Sequence, residues 1–184
     1  MKVKRILLPM LILSLFGLFL PHSASALMNE PFFQDSFLNL QEDGEDAEAD
    51  GKLLMLFFEQ EGCPYCKQLH EETLSDQGVR DYIQNNFFAI LIDIYGAREA
   101  ANFQGRSMRE KALARSMGVH FTPTIIYYDG KGKELFRITG FWQPFHLIAS
   151  MEYVRKGLYK TMNFQDYIHE KARGSTQPVS KGSH

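Results

Sequence analysis

The apolar run LLMLFFE, Leu53–Glu59, constrains the fold of this chain more than any other segment. Polar residues with glycine stand on both sides of it, and a bounded apolar run of this length suits a strand better than a helix. An uninterrupted apolar strand is typical of the centre of a sheet that is covered on both faces. A second run of this kind, FFAILID at Phe87–Asp93, predicts a neighbouring strand.

Helical and extended patterns alternate along the rest of the chain. Helical patterns open at Pro64, at the Ser75-Asp76 pair and at Pro144. TIIYYD and ELFRITG have the pattern of two strands joined by a glycine-rich turn, whereas residues 94–107 predict a long loop or a short helical insert. This order predicts an α/β fold, with a central mixed sheet of four to five strands and helices on both faces.

The two ends of the chain differ in composition from this pattern. Residues 1–26 combine a basic start, an apolar stretch of about 15 residues and small residues at the end, which predicts a secretory signal peptide cleaved after Ala26. The apolar stretch is shorter than the ~20 residues that span a bilayer, which argues against a retained membrane anchor. Residues 172–184 are polar and predict a disordered tail.

The segment at 27–51 changes character midway. Four apolar side chains recur near helical spacing: Phe32, Phe33, Phe37 and Leu40. They predict a helix that docks an aromatic face, followed by an acidic run that is solvated and has no function of its own. A single domain is predicted to follow, at 52–171.

The charge of the chain limits its partners. The net charge of −2 becomes about −5 when the basic signal peptide is removed. An acidic domain is a poor ligand for nucleic acid or anionic lipid. The sequence therefore predicts a periplasmic or secreted protein with no stable membrane insertion after cleavage, in a compartment where disulfides persist.

The two cysteines of the chain, Cys63 and Cys66, stand in the motif GCPYC directly after the first strand. As a structural staple this pair would close a very short loop and stabilise the fold little. As a zinc site it lacks a second ligand pair, although His70 stands four residues after Cys66 and could share its helix face. A copper site has no further support in the sequence, and a c-type haem would require histidine at Lys67.

A redox role suits the position of this pair. Pro64 marks the first helical position, which places Cys63 at the positive end of a helix dipole, where the thiolate is favoured. Cys66 falls one turn into the helix, where it is more sheltered. An exposed nucleophilic thiol beside a sheltered resolving thiol is the arrangement that disulfide exchange requires. We expect no cofactor other than the Cys63–Cys66 disulfide, and no metal.

Pro123 supplies a second signal, because a proline directly before an apolar strand belongs at its first residue. The Cys-x-x-Cys motif at a strand-to-helix junction, followed by Thr122-Pro123 before a hairpin, resembles the thioredoxin superfamily. The resemblance implies a thioredoxin-like fold in which Pro123 is cis and packs against the redox pair. It also implies that Thr122, Pro123, Pro64 and Tyr65 contact substrate.

Three stretches resemble a narrower group, the SoxW-like exported thioredoxins: LMLFFEQEGCPYCKQLHEETL, FFAILIDIYGAREA and FTPTIIYYD. This resemblance implies a periplasmic thiol-disulfide oxidoreductase associated with sulfur oxidation. It would act on cysteine-containing exported proteins and would be reduced by a membrane thiol transporter of the CcdA type.

The chain departs from the family at two positions. Thioredoxins carry tryptophan before the first cysteine and a buried acid six residues before it, and Gly62 and Phe57 stand there instead. Either Glu59 or Glu61 is a candidate for the missing proton acceptor of Cys66. The pair between the cysteines is Pro-Tyr rather than Gly-Pro, which leaves the redox potential open between a reductant and an oxidant.

The sequence thus predicts an enzyme that reduces or isomerises disulfides in exported proteins, with Cys63 as nucleophile and Cys66 as resolving thiol. Two alternatives stay open. One is a net oxidant of the disulfide-bond-forming type, and the other is a non-catalytic thioredoxin-like module that handles a metal such as copper.

Overall fold

The computed structural model describes residues 27–175, so the predicted signal peptide and the last nine residues lie outside it. The helices and strands follow in the order α1 (Leu40–Ala49), β1 (Leu53–Glu59), α2 (Pro64–Gln68), α3 (Gln77–Asn86), β2 (Phe87–Asp93), β3 (Glu99–Ala101), β4 (Ser107–Arg109), α4 (Glu110–Ser116), β5 (Thr124–Tyr128), β6 (Glu134–Thr139), α5 (Pro144–Arg155) and α6 (Phe164–Ser175). A π-helical segment, Leu69–Leu74, continues α2, and a 3₁₀ turn, Leu158–Lys160, follows α5. No helix among these residues is long and apolar enough to cross a membrane.

The central sheet has four strands in the order β2-β1-β5-β6. β1 pairs with β2 in parallel and with β5 in antiparallel orientation, and β6 closes the hairpin with β5. The predicted mixed α/β sheet is therefore confirmed, and β1 lies at its centre, as its continuous apolar sequence indicates. The predicted loop at 94–107 differs, because β3 and β4 form a short antiparallel ribbon there.

Two apolar cores flank the sheet because successive side chains of β1 point to opposite faces. Met55 and Phe57 pack with the π-helical segment, α3 and α5, whereas Leu54, Leu56 and Phe58 pack with α1 and α4. Both faces of β1 are thus covered, and its carboxyl end is held at a fixed place between the two helical layers.

The N-terminal segment differs from the prediction. The aromatic residues before α1 run without regular structure along the sheet edge, where Phe33 bridges to Ala89 on β2. Phe32 is buried, but Phe37 is 98% exposed, so the four apolar residues do not share one helix face. The helix is formed by the acidic run itself. Gly44 lies so close to the turn after β5 that a Cβ there would stand 2.7 Å from the Gly130 oxygen.

The predicted start of the disordered C-terminal tail also differs from the structure. Helix α6 runs to Ser175, four residues into the predicted tail at 172–184. The helix is anchored by Tyr167, which packs into the core and donates a hydrogen bond of 2.6 Å to Glu152. That contact and the aromatic cluster of Phe164 with Tyr153 stabilise the helix, and they were not visible in the local composition.

One member of the acidic run, Asp43, is buried rather than solvated. The Ser36 hydroxyl lies 2.7 and 2.8 Å from its two carboxylate oxygens, and Ser36 in turn accepts from the Leu38 amide. Burial raises the pKa of Asp43 to about 6, against the opposing hydrogen bond from Ser36. The folded protein therefore holds a proton on Asp43 at pH values where the unfolded chain has lost it.

This raised pKa predicts that Asp43 destabilises the fold at neutral pH. The ordinary pKa is 3.8 and the folded value is about 6, so the free energy of unfolding falls as pH rises through this window. Asp43→Asn removes the charge and keeps an oxygen for Ser36. We expect the variant to be more stable than wild type by on the order of 1–3 kcal/mol at neutral pH, and no more stable below about pH 4.

Urea unfolding at the two pH values measures this difference. Glu45→Gln is the matched control, because Glu45 is exposed on the same helix, and its effect should be small at both pH values. An Asp43→Asn variant that is equally stable with wild type at neutral pH contradicts the prediction.

Candidate active site

Cys63 lies at the junction between β1 and α2. Gly62 turns the chain with a φ of +71°, and Cys63 is then the N-cap residue of a helix whose first residue is Pro64. The Cys66 amide donates to the Cys63 sulfur over 3.1 Å, so that the sulfur caps the first turn. The two cysteines are joined by a disulfide with a Cα–Cα distance of 5.2 Å. Local sequence alone, a strand followed by Gly-Cys-Pro, produces this placement.

Thr122 and Pro123 meet this pair from a distant part of the chain. The Thr122–Pro123 peptide is cis, as the resemblance implied, and it lies directly before β5. The Thr122 hydroxyl donates to the Cys63 sulfur over 3.3 Å, and the Thr122 carbonyl oxygen lies 3.6 Å from the same sulfur. The Pro123 carbonyl accepts from the Gly140 amide at 2.8 Å, which ties this loop to the end of β6. Two hydrogen-bond donors thus converge on one sulfur.

The exposure of the site is uneven. Cys63 is 8% exposed and Cys66 4%, so the predicted nucleophile is more sheltered than its position at a helix start indicates. Pro64 is exposed, and so are Tyr65, in the first turn of α2, and Phe121, in the segment before β5, at 62% and 72%. Phe121 was not among the predicted site residues, although its position directly before Thr122 was a signal for it. Contact between these residues and substrate stays a prediction.

The two candidate proton acceptors lie in different environments. Glu59, at the end of β1, is 1% exposed, whereas Glu61 is exposed to solvent. Both carboxylate oxygens of Glu59 lie 3.1 Å from His70 Nε2. The other ring nitrogen of His70 lies 2.8 Å from a carboxylate oxygen of Glu30. The structure therefore favours Glu59 over Glu61 as a buried acid near the cysteines.

His70 is buried, with 2% of its surface exposed, whereas a histidine on the outer face of a helix would be exposed to solvent. Burial by itself disfavours the imidazolium, but the hydrogen bonds and charges of Glu59 and Glu30 outweigh it and raise the pKa of His70 above 6.5. Both ring nitrogens are engaged by carboxylates, so His70 is not a third ligand for the cysteine pair. Within residues 27–175, no group of three or more His, Cys, Asp or Glu side chains is placed to hold a metal ion.

A cavity of about 380 Å³ connects the disulfide with the buried acid. Cys63 and Cys66 line it together with Glu59, and Met28 forms part of its wall. The cavity is large enough for water, and it has polar atoms to hold water. Cys66 and Glu59 therefore share one cavity that can hold water.

Comparison with known proteins identifies what this arrangement resembles. A family model described as a thioredoxin-like domain matches residues 40–155. The thiol:disulfide interchange protein DsbD of Photorhabdus laumondii is 26% identical over 107 residues, which cover 57% of this chain and 17% of that protein. The chain therefore spans about a sixth of the length of the curated relatives it matches.

Two solved structures are similar in fold. A thioredoxin-fold protein from Helicobacter pylori superimposes with a TM-score of 0.65 at 24% identity, covering 77% of this chain and 92% of the other. A thioredoxin from Thermus thermophilus superimposes with a TM-score of 0.50 at 26% identity, covering 64% and 84%. Both confirm the predicted fold.

Proposed function

Because the chain belongs to the thioredoxin-like domain family, we propose that it is a thiol-disulfide oxidoreductase that uses the Cys63–Cys66 pair to reduce or isomerise disulfides in exported proteins. The predicted superfamily is thereby confirmed. The assignment to the SoxW-like group, with a role in sulfur oxidation, remains part of the proposal and rests on sequence resemblance.

The convergence of two donors on the Cys63 sulfur is the observation that carries this proposal. The Cys66 amide and the Thr122 hydroxyl both point at the atom that becomes the thiolate when the disulfide is reduced. Hydrogen bonds to a charged acceptor are stronger than those to a neutral one, so both donors favour the nucleophilic form. A thiolate therefore gains more from these donors than the neutral sulfur of a disulfide does.

Reduction of a substrate disulfide proceeds in two exchange steps. The Cys63 thiolate attacks a substrate disulfide, forms a mixed disulfide with one substrate sulfur and releases the other as a thiolate. Cys66 then loses its proton and attacks the Cys63 sulfur, which forms the Cys63–Cys66 disulfide and releases the second substrate thiolate. Two electrons pass from the protein dithiol to the substrate, and the product thiolates take up protons from solvent.

The location and partners belong to the same proposal. The predicted signal peptide at 1–26 supports an exported, periplasmic location. In an oxidising compartment a reductant needs electrons supplied across the membrane, which supports a thiol transporter of the CcdA type as donor. The name of the DsbD relatives, thiol:disulfide interchange protein, agrees with cysteine-containing proteins as substrates.

The redox potential of the pair tests the direction of the reaction. Both donors to the Cys63 sulfur are neutral groups, so they stabilise the thiolate only moderately. We therefore expect equilibration with glutathione to give about −270 mV, the value of a reductant. A potential near −120 mV would identify the alternative, a net oxidant. Stoichiometric copper without exchange activity would overturn the proposal in favour of a metal-handling module.

A further inference from the structure

We propose that Glu59 accepts the proton of Cys66 during the resolving step, and that His70 and Glu30 are positioning residues that hold the Glu59 side chain in place. This inference rests on the proposed function and assigns a buried triad, Glu59–His70–Glu30, to it. The thioredoxin family places its acid at the position of Phe57, where this chain has none.

Glu59 lies on the same side of the sheet as that missing acid. Side chains two residues apart on a strand point to one face, and β1 carries both Phe57 and Glu59. Phe57 occupies its position with an aromatic ring that packs edge-on against Phe33, with ring centroids 4.9 Å apart. The acid has therefore moved one step along the same face, toward the end of the strand that leads into Cys63.

The cavity supplies the route for the proton. Cys66 and Glu59 both line it, and it is large enough to hold a water molecule between the thiol and the carboxylate. In the resolving step the Cys66 S–H bond breaks and its proton passes through this water to Glu59. The Cys66 thiolate then forms the new bond to the Cys63 sulfur, and Glu59 later returns the proton to solvent through the same cavity.

The triad supplies the buried Glu59 carboxyl group with hydrogen-bond partners. Glu59 is 1% exposed, and a buried carboxylate needs hydrogen-bond partners inside the protein. His70 donates to both Glu59 oxygens, and Glu30 binds the opposite ring nitrogen and fixes the ring. His70 lies one helical turn after Cys66, so its position is set by the same helix that positions the thiol.

The charge that His70 carries at a given pH depends on the ionisable groups around it. Those groups come from each neighbouring element: Glu59 from β1, Glu30 from the segment before α1, Cys66 from its own helix, Asp93 as the β2 register partner of Glu59, and Glu61 and Lys67 from the cavity wall. The hydrogen bonds and charges of Glu59 and Glu30 outweigh burial and raise the pKa of His70 above 6.5, which favours the imidazolium that pairs with Glu59.

A single-turnover reaction separates the two steps. The reduced protein is mixed with a limiting amount of an aromatic disulfide reagent that releases one coloured thiolate in each step. The first phase reports attack by Cys63, and the second phase reports resolution by Cys66. We expect Glu59→Gln to leave the first phase unchanged and to slow the second by on the order of 10²-fold at neutral pH. The loss should shrink about tenfold per pH unit as hydroxide replaces the missing base.

Further variants separate proton transfer from structural damage. Glu59→Asp keeps a carboxylate and should restore most of the second phase. Glu30→Gln, at a half-buried position, should slow the second phase less than Glu59→Gln and test the triad even if His70→Asn does not fold. Glu72→Gln, exposed on the π-helical segment, is the matched control and should behave as wild type.

The outcomes distinguish this inference from the proposed function. A wild-type second phase in Glu59→Gln at every pH overturns the inference, as does a loss of equal size in Glu61→Gln. The absence of the first phase in the wild-type protein overturns the proposed function instead. A slow second phase in Glu59→Gln with the stated pH dependence, rescued by Glu59→Asp, supports the assignment.

Discussion

Replacing Cys63 with serine is expected to lower the rate at which the protein reduces a disulfide-bonded test protein by about three orders of magnitude or more. A serine hydroxyl remains protonated near neutral pH, and the two donors that converge on the Cys63 sulfur cannot make it a comparable nucleophile. The rate of reduction, measured with a chemical reductant as the electron source, checks this expectation. An unchanged rate would eliminate the assignment of Cys63 as the nucleophile.

The matched variant Cys66→Ser should fail differently. It keeps the Cys63 thiol and the Thr122 donor, so the first step proceeds and a mixed disulfide with the substrate accumulates. Non-reducing electrophoresis and mass spectrometry detect this adduct. If the adduct formed instead in Cys63→Ser, the two cysteines would have exchanged roles. Because both variants change only one sulfur to oxygen, a difference between them does not reflect loss of the fold.

The parts of the site that were predictable are those encoded by neighbouring residues. A strand, a glycine and Cys-Pro in sequence are enough to place Cys63 at a helix N-cap, and a Thr-Pro pair before a strand is enough to suggest the second half of the site. The triad was not predictable in this way. Glu59 and His70 meet because the helix after β1 folds back beside the end of that strand, and Glu30 joins them only through packing of the N-terminal segment, 40 residues before His70.

Prediction of the fold is limited in the same way: elements with a local sequence signal are predicted correctly, whereas those placed by tertiary contacts are not. The bounds of β1 and β2 agree with the predicted strands because burial on both faces leaves a continuous apolar signal in the sequence. The segment before α1 was misassigned because aromatic residues near helical spacing also suit an irregular strip along a sheet edge. There Phe32 enters the core while Phe37 points to solvent, a choice made by tertiary contacts rather than by local preference.

Replacing Phe57 with alanine is expected to lower the stability of the fold strongly. The Phe57 side chain is fully buried in the core between β1 and the helices, beside Phe33 and with the Phe32 ring centroid at 6.3 Å. Phe57→Ala removes a ring from a closely packed site and leaves a cavity. We expect the free energy of unfolding to fall by about 3–5 kcal/mol, as for other buried phenylalanines.

Phe37→Ala is the matched control, since the same substitution at a 98% exposed ring should change the free energy of unfolding by less than about 0.5 kcal/mol. Urea unfolding of both variants measures the difference. A loss below about 1 kcal/mol in Phe57→Ala would mean that the aromatic packing at this position is not essential to the fold. The expected large loss means instead that the core depends on a ring at this position, and the buried acid on the same face of β1 is then Glu59, two residues on.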